Sequence, residues 1–168
     1  MTTPLPNNPP KRKRAMKLLA GNLLVLAVLL LLIFSAGEIY YRYIFDSTDS
    51  FALTLTSKRW FERHWQLNNM RVRDNIDYIR EKTPGKTRIT FLGDSFTVAH
   101  GVNDVENRFG NILRNKRKDR QEIHLIAGNG LDTGFEFRAL RQELRKGYQS
   151  DVIVLVYILN DISDIIPQ

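Results

Sequence analysis

The sequence predicts an α/β fold carried behind one transmembrane helix, and three observations predict it. Leu18 to Ala36 runs for nineteen residues without a charge. After Pro84-Gly85 the pattern changes to short apolar runs separated by longer amphipathic ones, the alternation of βα units around a parallel sheet. The last of these runs, Val152 to Leu159, is apolar throughout, as a central buried strand should be.

Taken in order, residues 1–16 hold four prolines and a basic cluster without apolar periodicity, the composition of a disordered tail. Of the net charge of +7, five units come from Lys11, Arg12, Lys13, Arg14 and Lys17. The remainder of the chain is close to neutral, which argues against a nucleic-acid-binding face on the folded part and for a positive flank beside a membrane segment.

Residues 17–39 are read as the transmembrane helix, long enough for a hydrocarbon layer of roughly 30 Å. Basic residues precede it and Glu38, Asp46 and Asp49 follow, so the positive-inside rule sets the amino terminus in the cytoplasm and the rest outside the cell membrane. Tyr40, Tyr41 and Tyr43 suit the interfacial aromatic belt. A cleaved signal is the alternative, although the apolar stretch exceeds the usual core of about 7–15 residues and Ser35-Ala36-Gly37 is a poor cleavage site.

Residues 40–86, polar and aromatic by turns with Trp60, Phe61, Trp65, Met70 and Val72 among many charges, read as an extracytoplasmic connector that packs against the following domain. In residues 87–168 a first strand is expected over Arg88–Leu92 and a helix over Phe109–Arg117. A second strand follows over Glu122–Ala127, a second helix over Gly134–Gly147 and a third strand over Val152–Leu159. The absence of cysteine excludes a disulfide framework, a thiol nucleophile and a thiolate metal site. No cofactor or metal cluster is expected, and Gly128-Asn129-Gly130 fits neither the P-loop nor the dinucleotide spacing.

Gly93-Asp94-Ser95 directly follows the first strand, and the carboxyl ends of parallel strands are where open α/β sheets build their sites. A strand-to-helix turn exposes a serine hydroxyl and brings backbone N–H groups near it, which acyl transfer requires. Gly128 to Thr133 follows the second strand and Asn160-Asp161 the third. Taken singly, Gly130 reads as a helix-entry turn and Asn160 as a loop cap. Together, the Ser95 N–H, the Gly130 N–H and the Asn160 amide can converge on one developing negative charge.

The segment Ile89-Thr90-Phe91-Leu92-Gly93-Asp94-Ser95-Phe96-Thr97 resembles the first block of the SGNH (GDSL) hydrolases. Gly130 matches the glycine of that family's second block, and Asn160-Asp161 the asparagine pair of its third, with Ile158 where a glycine often begins that block. Asn68 to Asp74 looks like the lead-in of membrane-anchored bacterial members. The resemblance spans roughly residues 57–164 and implies a three-layer α/β/α sandwich of the flavodoxin-like kind, here incomplete. It also implies hydrolysis or transfer of an ester-linked acyl group. Ser95 would be the nucleophile, Gly130 and Asn160 oxyanion donors, and Asp94 the support of the turn.

By the same resemblance the general base belongs to an Asp-x-x-His block near the end of the domain. His64, His100 and His124 all precede the third strand, and none takes that place. His100, five residues after Ser95, is the available substitute, although a histidine there more often lines a pocket or the surface. The chain is therefore expected to be an incomplete copy of an enzyme, inactive by itself, with a non-catalytic membrane-tethered binding or assembly module as the alternative. The resemblance, together with a location outside the membrane, implies acyl-ester substrates on surface polysaccharide or lipid, and the charge distribution implies no nucleic-acid partner.

Overall fold

The computed structural model describes residues 11–48 and 52–158, and these fall in two compact units divided in sequence between Asp46 and Ser47. The first unit is helix α1, Lys11–Ile39, whose 29 residues span about 44 Å at 1.5 Å each. Its start follows Pro10 directly, and its Leu- and Ala-rich interior contains no proline and consists largely of strong helix formers. One wider turn, Tyr40–Ile44, continues it and closes with the Phe45 N–H on the Tyr40 carbonyl at 2.9 Å. From Arg12 to Ile44 the helix is long and apolar enough to cross a membrane, and its large apolar side chains are exposed all round. At its end Tyr40 and Tyr41 pack with Phe45, and Glu38 pairs with Arg42 at 2.6 Å.

The second unit opens with helix α2, Leu55–His64, started by Thr54, whose hydroxyl accepts the Ser57 N–H at 3.1 Å. Helix α2 turns Ser57 and Trp60 inward. Between α2 and the first strand the chain has little regular structure, yet Arg73, Asp74 and Tyr78 are buried there.

Strands β1 (Thr87–Gly93), β2 (Gln121–Ala127) and β3 (Val152–Leu155) form one parallel sheet in the order β2-β1-β3. Each of the three expected strands is present, and α3, Phe109–Arg117, and α4, Thr133–Arg145, occupy the two connections. The registers pair Phe91 with Leu125 and Leu92 with Ile126, so alternate residues line opposite faces. Helix α3 covers the first face. Phe109 meets the Phe91 ring edge to face, and Gly110 lies so close to Leu125 that a Cβ would stand 2.6 Å from its methyls. Helix α4 covers the second face, where Leu140 and Ala139 pack with Leu92, Ile126 and Met70.

The third strand differs from its expected role. An all-apolar run reads as central and buried, but β1 holds the centre, and Val152, Ile153 and Leu155 on β3 are 42–45% exposed. Its apolar side chains are exposed, and among the described residues no strand lies on the far side of β3. Regular pairing stops at Leu155, although the Val156 N–H still reaches the Leu92 carbonyl at 2.9 Å. Leu159, the expected end of this strand, lies outside the described residues.

Candidate active site

The site begins where β1 ends. Gly93 packs against Thr97 so tightly that a Cβ at position 93 would stand 2.0 Å from the Thr97 hydroxyl oxygen and 2.6 Å from its Cβ. This close approach folds the chain back on itself immediately after the strand. Asp94 is buried, and its carboxylate accepts the Phe96 N–H at 2.9 Å, an Asx turn that fixes the backbone on either side of Ser95. The turn continues with the Val98 N–H on the Asp94 carbonyl and the His100 N–H on the Ser95 carbonyl, at 3.0 and 2.9 Å.

Strand β2 delivers the second part. The Gly128 N–H still reaches the Gly93 carbonyl at 3.3 Å, so the two loops leave adjacent strands side by side. Gly130 has φ of +66°, in the left-handed region that favours glycine, and Asp132 then caps α4 by accepting the Phe135 N–H at 2.7 Å. Ser95 and Gly130 line one open cleft of about 550 Å³ together with Phe96, His100, Val102 and Asn129. Phe96, next to the serine, is 69% exposed. Asn160 lies outside the described residues.

The histidines are placed very differently. His124, on β2, is buried flat against Tyr78 with ring centroids 4.0 Å apart. Burial, then the charge of Arg88, push its imidazole down to about 3, so it is neutral at physiological pH. His64 ends α2, and its carbonyl accepts from Arg73. Only His100 lines the cleft with Ser95. Its Nδ1 lies 2.8 Å from the Asn129 amide nitrogen, and its ring is surrounded by Trp60, Phe61 and Trp65 at centroid distances of 5.5–6.1 Å. No hydrogen bond joins any of the three to the Ser95 hydroxyl among the described residues.

Arg73 fixes this wall, and sequence reasoning missed it. Its guanidinium, 1% exposed, donates to the carbonyls of His64, Val98, Ala99 and Val102 and lies over the rings of Trp60 and Trp65. Burial, then the charge of Arg108, lower it to about 10, which leaves it a cation at neutral pH. Ala99, which it holds, has φ of +59°, a conformation that costs a non-glycine residue roughly 1 kcal/mol or more. Arg73 was visible only as one charge in the Asn68–Asp74 stretch, and no local pattern marks a cation that binds carbonyls distant in sequence.

Among the described residues no group of His, Asp or Glu is arranged to hold a metal ion. No family model matches the chain, nor does any curated protein or solved structure.

Proposed function

We propose that this chain carries the nucleophile half of a membrane-anchored serine esterase of the SGNH hydrolase kind, acting on ester-linked acyl groups of a surface polysaccharide or lipid. The observation that supports the reading best is that Ser95 and Gly130, at the ends of adjacent parallel strands, line one cleft. The Ser95 hydroxyl attacks the ester carbonyl. The backbone N–H groups of Ser95 and Gly130, with the Asn160 amide, stabilise the oxyanion, each such donor contributing about 3–4 kcal/mol in the transition state. Asp94 supports the turn through the Phe96 N–H. Helices against both faces of a parallel sheet are what a flavodoxin-like three-layer sandwich requires. The basic residues before α1 favour a cytoplasmic amino terminus and a catalytic unit outside the cell membrane.

Proton transfer from Ser95 needs an acceptor, which the family resemblance locates in an Asp-x-x-His block. The rival reading, a tethered binding module without turnover, is favoured by the absence of a hydrogen bond from any histidine to the Ser95 hydroxyl among the described residues. A fluorophosphonate separates the two. With imidazole in the buffer as the proton acceptor, the full chain in detergent should gain one covalent adduct on the peptide containing Ser95, and Ser95→Ala should abolish it. An unmodified wild-type peptide after prolonged exposure supports the binding module instead.

A further inference from the structure

We infer that His100 is a substrate-positioning residue whose Nε2–H donates a hydrogen bond to an oxygen of the bound ester's alcohol portion, and that Asn129 sets it in that role. The inference rests on Ser95 being the nucleophile of this cleft. Four observations carry it. His100 lines the cleft with Ser95 and is tied to it through the backbone, its N–H on the Ser95 carbonyl at 2.9 Å. In the amide orientation of this structure, which leaves the buried Asn129 Oδ1 without a partner among the described residues, the atom facing Nδ1 is the Asn129 nitrogen, at 2.8 Å, which has only hydrogens to offer. Nδ1 is therefore the acceptor, and the neutral ring carries its proton on Nε2. Nε2 itself has no protein partner among the described residues.

The rest of the wall keeps that donor in place. Trp60, Phe61 and Trp65 surround the imidazole, and Arg73 holds the carbonyls of Val98, Ala99 and Val102 on either side of it. A ring fixed at Nδ1 and packed among three aromatic rings loses little freedom when Nε2 finds an acceptor, so the bond favours bound oxygen over bound hydrocarbon. With Phe96 beside it, this part of the cleft presents an apolar surface next to a fixed donor, which suits an oxygen-bearing alcohol better than an alkyl one. In this assignment His100 does not take the Ser95 proton, because Nδ1 is engaged by Asn129 and Nε2 already carries the proton of the neutral ring.

Two fluorophosphonates of equal length test this, one with a hydrocarbon arm and one with an ether-oxygen arm, on the full chain in detergent with imidazole in the buffer as the proton acceptor. The ether-armed probe should modify Ser95 about three- to tenfold faster, the worth of one neutral hydrogen bond. His100→Leu should bring the ratio of the two rates to about one, and His100→Gln, which keeps an N–H donor, should preserve most of it. A ratio that His100→Leu leaves unchanged overturns the inference. Independently of any variant's folding, the nitrogen spectrum of histidine-labelled wild-type chain should show the Nε2–H form for His100, and an Nδ1–H form overturns the assignment. If neither probe modifies Ser95, the esterase reading itself fails, whereas equal modification by both removes only the role of His100.

Discussion

The two edges of the sheet are finished in opposite ways. Along β2 the outer edge is closed by side chains. The Leu125 N–H donates to the Tyr78 hydroxyl at 3.0 Å, and the Ile123 carbonyl accepts from Arg114 at 3.0 and 3.1 Å. Both side chains converge on Asp74, which also accepts from Arg108 at 2.8 Å and from Asn111 at 3.3 Å. Along β3 the side chains are apolar and exposed, and among the described residues no strand lies beyond them. A buried carboxylate with two guanidiniums can seal an edge without a fourth strand, whereas apolar residues seal nothing until something covers them.

The contrast makes Asp74 the residue whose loss should cost most. Burial alone raises its carboxyl, but hydrogen bonds from Arg114 and Tyr78 and the charges of Arg114 and Arg108 outweigh that and hold it at about 2. Asp74→Ala leaves two buried cations without their anion and should cost about 3–5 kcal/mol, read as a large drop in the denaturant midpoint. A loss below about 1 kcal/mol breaks the claim that this edge is held by charge.

The pH dependence of stability should come in two stages, both from the β2 side. His124 titrates near 3 when folded and near 6.5 when unfolded, so below about pH 6.5 the unfolded chain binds a proton that the folded chain refuses. Stability therefore falls from pH 6.5 downward. Asp74 has its folded value below the unfolded one of about 3.9, so its contribution is complete above that value and is lost as pH falls toward 2. His124→Leu should flatten the first stage and leave the second, and a first stage that survives the substitution points to another group. The smallest effect is expected on the other edge. Ile153→Lys, at 45% exposure, should change stability by no more than about 0.5 kcal/mol, and a loss as large as that of Asp74→Ala shows that β3 is covered in solution.

Much of the sheet was legible because its signal is local. Short apolar runs gave all three strands, and the amphipathic stretch Phe109–Arg117 coincides with α3. The approach of Ser95 to Gly130 was legible for a related reason, since residues that follow parallel strands share one end of a sheet. That the stretch before β1 packs against the domain was legible from its aromatic residues, but the buried charges within it were not. Arg73 and Asp74 sit among many charges that read as solvated, yet with Trp60 and Tyr78 they are only 1–2% exposed. Their partners, Arg108, Arg114 and the carbonyls of 98–102, lie 25 to 40 positions away in sequence, and no periodicity reports such pairing. The exposure of β3 was hidden for the opposite reason, because composition records how apolar a strand is and not whether anything lies against it.

The contact between Gly93 and Thr97 also constrains the order in which this sequence can change. Thr97 fills the space of the missing side chain at 93 with its hydroxyl and its own Cβ, so an alanine at 93 collides with any residue at 97 that has a β-carbon. Only after position 97 has become glycine does a side chain at 93 find room. The two positions should therefore be strongly non-additive in a double-mutant cycle, with Gly93→Ala far less damaging in a Thr97→Gly background than alone. The turn beneath the serine is in this sense a directional lock, with one position that must open before the other can move.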